Sequence, residues 1–546
     1  MSKHHSSMKT ILISINIEDN ISLVQDILAE SIDLKKREFA NEQNSIRGVC
    51  FYIEGLAKSE EIDKAIKTLL HMSDINLFKP TVDSLTEVLK STVLFNSSIQ
   101  VTDVVDSLIL AILSGDTVFF FQESPFGLIV STKESLSRSI EEPQIEQVVR
   151  GPRDGFTESI RMNTALVRKR IKDPLLRIES MTVGKKTKTD INIAYLEGTV
   201  KEGLVDEVKK RIGKIKIDSI LESGYIEELI EDAPFSPFTT VENTERPDKV
   251  ASALLEGRAA IFVDNTPFVL IVPSYFWQFL QASDDYYSGF LTGSFNRIIR
   301  YLAFIISLTL PSIYVMLVSF HQEMIPTPLA LTIASGRDVN PFPVLFEALV
   351  MEIAFELMRE AGLRMPKPIG QAVSIVGSLV IGQAAVQAGV VSPFMVIIVA
   401  ITGISSFAIP NFAASFSIRL IRFVLLIASG TLGLLGFATA FTFLAIHAMS
   451  LRSFGESYLA PAAPFKPTDQ KDFLFRAPWW AMEKQPELAE GTENRIGEKQ
   501  IPKPRTDETS KRVNSKSEYV QTLGNGKVKI RRKKAGKPRR KVDEEE

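Results

Sequence analysis

The chain has 546 residues, 45% of them hydrophobic, and a formal net charge of −2 at pH 7. This length exceeds what one hydrophobic core supports, so about two to four domains are expected. The balanced charge indicates neither a nucleic-acid-binding protein nor an enzyme of acidic substrates. The single cysteine, Cys50, excludes an intramolecular disulfide framework and a cysteine-based metal site.

The N-terminal residues 1–40 are interpreted as an extension. Their apolar run is shorter than the roughly 7–15 residues of a signal-peptide core, so the N-terminal half is expected in the cytoplasm.

Two later stretches of the chain are alike. Residues 115–130 and 257–272 match without a gap, and residues 50–66 and 193–209 match at nearly the same offset. Two matching pairs at nearly one offset predict a tandem duplication.

Each copy is predicted to run strand, helix, helix and hairpin. Residues 48–53 and 191–196 are rich in β-branched and aromatic residues, as strands prefer. Residues 59–72 carry apolar side chains at helical spacing. Gly115 and Gly257 are predicted to end the second helix of each copy in a left-handed conformation. The N-terminal part is therefore predicted to contain two similar α/β subdomains, 41–145 and 146–290. Two interpretations stay open: the two subdomains form a ligand-binding cleft between them, or they serve only as a scaffold for assembly.

A glycine- and proline-containing loop joins the two copies. Asp154 or Thr157 is expected to cap the helix that follows. The predicted linker motif consists of Arg150, Gly151, Pro152, Arg153 and Asp154.

The apolar residues concentrate in a predicted transmembrane domain, 291–450. Residues 301–320 carry no charge over a length that matches a hydrocarbon core of about 30 Å. Arg297 and Arg300 precede this span and place its start on the cytoplasmic side. Further spans are predicted near 370–391, 394–410 and 423–447.

The span near 370–391 combines small and polar residues. Gly377, Gly382 and Gly389 would allow close helix packing. Gln383 and Gln387 lie four residues apart and are expected to face another helix or water, so they are candidates for pore or coupling residues.

The segment 342–358 is apolar yet carries Glu347, Glu352 and Glu356. Carboxylates at membrane depth cost roughly 2.5–3.5 kcal/mol each and usually face a cavity or a partner. These glutamates are therefore candidates for pore or coupling residues, since a ring of carboxylates from several subunits favours cations. An amphipathic helix at the membrane surface is the alternative. The segment is left open as amphipathic, re-entrant or spanning.

The polar C-terminal tail, 451–546, is predicted to be mostly disordered. Trp479 and Trp480 are the exception and are expected at the membrane interface. The densely basic end is expected to bind anionic lipid, and no nucleic acid is expected. The sequence contains no catalytic motif, so we expect no enzyme, no cofactor and no metal site.

Residues 141–163 and 346–393, in this order around a first span, resemble the A subunit of GerA-type spore germination receptors. The resemblance extends from about Cys50 to Trp480. It implies an integral protein of the spore inner membrane that acts with a transporter-like, nutrient-binding B subunit and a lipoprotein C subunit. It also implies a homo-oligomer that forms a nutrient-gated channel for monovalent cations.

Two other functions stay open at this stage. A germination-amplifying paralogue would act in ion or dipicolinate release without sensing nutrients. A secondary transporter with a regulatory domain is less favoured, because transporters usually carry inverted repeats among their spans and the clear repeat here lies in the soluble half.

Overall fold

The computed structural model describes residues 12–29, 31–41, 46–71, 99–134, 142–143, 146–365, 382–489, 495, 520–522 and 528–530. Its N-terminal part is α/β and its C-terminal part is mostly helical.

The first subdomain contains a five-stranded antiparallel sheet in the order β1-β2-β4-β5-β3. Its elements are α1 (Ile17–Leu28), β1 (Leu34–Asn41), β2 (Ile46–Ile53), α2 (Ser59–His71), β3 (Ile99–Thr102), α3 (Val105–Leu113), β4 (Thr117–Phe121) and β5 (Gly127–Val130).

The second subdomain contains a five-stranded antiparallel sheet in the corresponding order, β6-β7-β9-β10-β8. Its elements are α4 (Ile160–Arg170), β6 (Leu176–Val183), β7 (Thr189–Leu196), α5 (Leu204–Gly213), α6 (Ser223–Ile230), β8 (Glu242–Thr244), α7 (Pro247–Leu255), β9 (Ala259–Val263) and β10 (Val269–Val272).

The two predicted helix-ending glycines occupy equivalent places. Gly115 follows α3 with φ +92°, and Gly257 follows α7 with φ +85°. A Cβ atom would lie 3.0 Å from the carbonyl oxygen of Leu56 in the first case and 2.8 Å from that of Thr199 in the second. Both positions therefore favour glycine through backbone conformation and through close packing.

The prediction of an N-terminal extension over 1–40 is wrong for the described residues from Leu12 onward. The apolar face of α1 contributes Ile17 and Val24 to the core of the first subdomain. The strand β1 pairs with β2 over its whole length. Its sequence, LKKREFAN, hides this because β1 is an edge strand that carries charged residues on both faces.

The two subdomains share one hydrophobic core, to which Phe51 and Phe120 contribute from the first and Leu176 and Phe262 from the second. The cavity lined by residues of both subdomains, next to Asp33, measures about 120 Å³. The surfaces that face each other are thus largely filled by side chains.

A buried ion pair fixes this interface. The guanidinium of Arg168 donates to both carboxylate oxygens of Asp33, at 2.9 and 3.0 Å, and to the carbonyl oxygen of Leu176 at 2.9 Å. The backbone N–H of Ile32 donates to the carbonyl oxygen of Ile178 at 3.0 Å. The segment before β1 therefore docks on β6 through charge and backbone together.

The C-terminal part begins with a short helix that leads into the first long one. Its helices are α8 (Asp284–Tyr287), α9 (Phe290–Phe320), α10 (Thr327–Ser335), α11 (Val344–Arg364), α12 (Pro393–Phe407) and α13 (Phe412–Ser450). By length and composition, α9 and α13 could each cross a membrane, and α12 is a shorter apolar helix. The segment expected to be amphipathic or spanning near 342–358 lies in α11. Residues 366–381, which include the first half of the span predicted near 370–391, lie outside the described part of the chain.

The helix α13 is a hairpin of two arms, whereas the sequence predicted one straight span over 423–447. Gly433 interrupts it with φ 61° and ψ −137°. Ala414 and Ala448, from opposite ends of α13, lie in one apolar cluster, so the arms run side by side. The N–H of Leu434, freed by the break, donates to Nε2 of His321 at 3.2 Å. The turn needs a glycine at its positive φ.

The prediction of disorder is wrong for residues 451–489. Tyr458 and Phe473 are buried, and the indole N–H of Trp277 donates to the carbonyl oxygen of Leu459 at 3.0 Å. Composition misled the prediction because a few aromatic residues anchor an otherwise polar, proline-rich segment.

We predict that Asp33→Asn lowers the free energy of unfolding of a fragment spanning residues 12–287 by about 3–5 kcal/mol, because Arg168 would stay buried without its counter-charge. Asp63→Asn is the matched control, since Asp63 forms a half-exposed ion pair with Arg37 at 2.6 Å and should change stability by about 1 kcal/mol or less. Urea unfolding of both variants measures the difference, and equal effects would contradict a special role for the buried pair.

Candidate functional site at the junction

A layer of aromatic rings lies where the second subdomain meets the helices. The ring of Trp277 lies 5.1 Å from that of Phe276 and 4.7 Å from that of Phe473. Phe276 in turn contacts Phe238 at 6.1 Å. We call these residues, with Tyr301 and Tyr458, the aromatic layer. It joins the α/β region, α9 and the segment after α13 into one apolar cluster.

A buried ion network, which we call the junction network, lies beside this layer. Asp285 accepts from Nε of Arg297 at 3.3 Å and from the guanidinium of Arg300. Arg297 also donates to Asp472 at 2.9 Å, and Arg476 donates to the backbone carbonyl of Asp285 at 2.8 Å. Asp285 and Arg297 are 1% and 0% exposed, so neither charge is balanced by water. The sequence predicted the two arginines of α9 only as markers of membrane orientation.

The linker motif reaches the residues directly before α9. The N–H of Arg150 donates to Asp284 at 3.1 Å, and Gly151 packs so closely on Tyr287 that a Cβ atom would lie 2.6 Å from its ring. The carbonyl of Pro152 accepts from Arg246 at 3.2 Å. The linker therefore contacts α8, one residue from Asp285.

The rest of the linker differs from the predicted helix cap. Ser159 is the N-cap residue of α4 and makes no side-chain cap bond. Asp154 instead accepts from Arg170, at the other end of α4, at 2.6 Å. Arg153 forms an exposed ion pair with Glu142 at 3.1 Å.

The three candidate glutamates of α11, Glu347, Glu352 and Glu356, are paired within the chain. Glu347 accepts from the N–H of Ser392 and lies 3.4 Å from Nη1 of Arg337. Glu352 is 1% exposed. Glu352 and Glu356 both face the first arm of α13. Their ion pairs are Glu352 with Arg422 (2.8 Å), Glu356 with Arg419 (2.6 Å) and Glu356 with Arg422 (3.1 Å).

Sequence reasoning missed Arg419 and Arg422 as partners of these glutamates. The predicted span began at residue 423, so both arginines were left outside it as flanking charges. The pairing had a signal in the sequence. Arg419 and Arg422 lie three residues apart and Glu352 and Glu356 four apart, so each pair lies on one face of its helix.

The remaining predicted residues lie in or near the residues before α12. Gln383 and Gln387 are exposed in the single chain. Gly382 is buried, and a Cβ atom there would lie 3.4 Å from Val396. Gly389 has φ +66° and lies against Val339, so it serves a turn as well as packing. Gly377 lies outside the described residues.

An acidic cavity of about 190 Å³ separates α6 from the start of α13. Its lining includes Glu146, Glu222, Glu227, Asn243 and Asn411. Burial raises the pKa of Glu227 to about 7, although the amide of Asn243 donates to it at 3.2 Å. A larger cavity of about 330 Å³, with Tyr275 and Arg258 in its wall, lies between the second subdomain and residues 460–488. Within the described ranges, no group of three or more His, Cys, Asp or Glu side chains could hold a metal ion.

These features define a two-part protein in which an α/β region is fixed by buried charges to a bundle of apolar helices. The family model described as Bacillus/Clostridium GerA spore germination protein matches residues 22–488. The chain belongs to the GerA family, the A subunits of spore germination receptors, as residues 141–163 and 346–393 indicated.

The chain is also similar to named proteins and to a solved domain. The chain is 47% identical to the "Uncharacterized membrane protein YfkQ" of Bacillus subtilis (strain 168), over 87% of this chain and 91% of the relative. It is 46% identical to "Spore germination protein KA" of the same organism, over 91% of each. The solved N-terminal domain of the A subunit of the Bacillus megaterium spore germinant receptor GerK3 is 35% identical, over 49% of this chain and 98% of that domain, with a TM-score of 0.39.

We predict that Asp285→Asn destabilises the detergent-purified full chain by about 3–5 kcal/mol, because two buried arginines lose their shared counter-charge. Asp284→Asn is the control one residue earlier. Its carboxylate accepts the N–H of Arg150 at one oxygen (3.1 Å) and that of Val149 at the other (3.4 Å), and an amide oxygen can keep the shorter of these bonds without leaving a buried arginine unpaired. Thermal unfolding followed by circular dichroism compares the two. Similar melting temperatures would show that the junction network contributes little.

We predict that the stability of the full chain falls as pH rises from about 5 to 8, in part through Glu227. Its folded pKa lies above its ordinary value, so the folded state holds a proton that the unfolded state has released, and this stabilisation is lost as pH passes 7. Glu227→Gln should flatten the fall by about 2 kcal/mol. Glu228→Gln, on the exposed face of α6, should leave the pH profile unchanged, and an unchanged profile in Glu227→Gln would refute the assignment.

Proposed function

We propose that this chain is the A subunit of a nutrient germinant receptor in the spore inner membrane, with its α/β region in the cytoplasm. The observation that carries the proposal is the family match over residues 22–488, which covers the α/β region, the junction and the helices together. The proposed partners are a transporter-like B subunit that binds the nutrient and a lipoprotein C subunit.

We propose that the helical part crosses the membrane several times. A Cβ atom at Gly430 would lie 2.5 Å from Leu345, and Glu356 pairs with Arg419, so α11 runs antiparallel to the first arm of α13. A Cβ atom at Gly403 would lie 2.4 Å from Phe355, and Ser392 donates to Glu347, so α12 runs parallel to α11. Two parallel helices that follow each other in the chain require a return path between them, and we propose that the span predicted near 370–391 is this path.

The α/β region is proposed to have arisen by tandem duplication, since its two sheets share one strand order. Its shared core and the Asp33–Arg168 pair indicate a rigid body that transmits force, rather than two lobes separated by a cleft that opens. Such a body suits contacts between receptor subunits.

We propose that several copies oligomerise into a nutrient-gated channel for monovalent cations. Gln383 and Gln387, exposed in the single chain, are the polar candidates to face the pore or a neighbouring copy. Glu352 and Glu356 are proposed as coupling residues that join α11 to α13, because arginines already neutralise them. A buried ion pair holds two helices in one register and is costly to leave half made.

The test is potassium release from dormant spores, with and without the gene, across a panel of nutrients. Loss of release for one set of nutrients is expected. Normal release for every nutrient, with no other receptor responding to that set, would contradict a receptor role and would favour the amplifying paralogue.

The same assay tests the coupling residues. Glu352→Gln should slow potassium release by about tenfold or more, because Arg419 and Arg422 would have to share Glu356. Adding Arg422→Gln should restore much of the rate, since the buried charges then balance. Glu360→Gln is the matched control on α11, where an exposed pair with Arg364 should matter little. A rate that stays low in the double variant at normal protein level would instead indicate a pore carboxylate.

A further inference from the structure

Phe235 is fully exposed in a loop between Pro234 and Pro237, next to the C-terminal end of α13. The next residue, Ser236, lies 2.9 Å through its Oγ from Nε2 of His447, in the last turns of α13. Phe238 contacts the His447 ring at 6.1 Å. The loop is thus fastened directly after Phe235, while the phenyl ring of Phe235 itself is exposed.

A second exposed aromatic residue lies next to the N-terminal end of α9. Phe475 is 60% exposed, and its neighbours are held in place. The hydroxyl of Tyr301 donates to the carbonyl oxygen of Phe473 at 3.0 Å, and Ser294 donates to that of Arg476 at 3.1 Å. Phe475 therefore lies beside the first turns of α9 and cannot retreat into the core without breaking these bonds.

The aromatic layer connects the two loops. Phe238 lies at one edge of it, three residues after Phe235, and Phe473 lies at another, two residues before Phe475. Both exposed rings therefore emerge at the level where the α/β region ends and the helices begin.

The helix surfaces next to these loops are apolar and exposed. Phe443 and Ile446 are 75% and 60% exposed on the second arm of α13, and Phe295 is 62% exposed on α9. The two loops thus continue an apolar surface that already surrounds the bundle. Aromatic residues at such a boundary favour the interface between lipid headgroups and acyl chains.

We propose that Phe235 and Phe475 insert into the cytoplasmic boundary of the bilayer and seat the α/β region on the membrane surface. The inference rests on the proposed membrane crossing of α9 and α13. A bilayer surrounds the whole bundle and so accounts for exposed rings beside both helices, whereas a second copy of the chain would need to cover both places at once.

The test places a nitroxide label at position 235 or 475 of the full chain, in vesicles of phosphatidylethanolamine and phosphatidylglycerol. Cys50 is fully buried, and burial raises the pKa of its thiol to about 12, so at neutral pH the introduced cysteine reacts selectively. Collision of the label with oxygen, which concentrates in lipid, is compared with collision with a water-soluble nickel chelate. Val149→Cys, at a 93% exposed position of the linker, is the aqueous control, and Phe443→Cys is the lipid control.

For Phe235→Cys and Phe475→Cys we expect an oxygen-to-nickel collision ratio several-fold above that of Val149→Cys and below that of Phe443→Cys. A ratio equal to that of Val149→Cys would overturn the proposal. A label that collides with neither oxygen nor the nickel chelate, and that becomes accessible when the protein is diluted in lipid, would also overturn the proposal. It would assign the rings to a contact between copies of the chain. A collision ratio at position 443 as low as that of Val149→Cys would refute the proposed membrane crossing of α13. This outcome is distinct from the outcomes at positions 235 and 475.

Discussion

The burial of Asp285 between two arginines of α9 is the constraint on which the arrangement of the whole chain depends. A carboxylate that is 1% exposed must be paired, and the pairing fixes three separate segments at one point: α8, the start of α9 and residues 472–476. Asp284, one residue earlier, receives the linker between the subdomains. Beside the aromatic layer, two consecutive aspartates of α8 thus connect the linker to the base of α9.

The same physical rule sets the register deeper in the bundle. Apolar side chains fix the register of neighbouring helices through their shapes, but they leave freedom for small shifts. The pairs of Glu352 and Glu356 with Arg419 and Arg422 remove that freedom, since a shift by one turn would leave charges unpaired in an apolar environment. The break at Gly433 then folds the second arm of α13 back toward the α/β region, where His447 contacts Ser236.

Sequence reasoning succeeded where a local signal had a local cause. Gly115 and Gly257 end helices in both copies because the backbone itself requires glycine there. It failed where the cause was distant in the chain: β1 is recognisable only beside β2, and the order of residues 451–489 depends on aromatic contacts with the second subdomain. Gly433 was hidden among other small residues of an apolar run, because spacing alone does not distinguish a packing glycine from a turn. Arg419 was hidden because a search for apolar length discards the charges at its ends.

The position of the glutamate–arginine pairs bears on how the two parts communicate. Among the described residues, the helical region has two apolar clusters. One includes Phe276 of the α/β region and Ile421 of α13, and the other is formed within the helical part around Val315 and Met395. Arg422 lies on α13 where the two clusters adjoin, about one turn before Leu425 of the first cluster and Leu426 of the second. Apolar packing tolerates small shifts on either side, whereas a buried ion pair tolerates few positions. A movement of the first cluster would therefore either carry α11 with it or break these ion pairs, and this is the physical basis for proposing Glu352 and Glu356 as coupling residues.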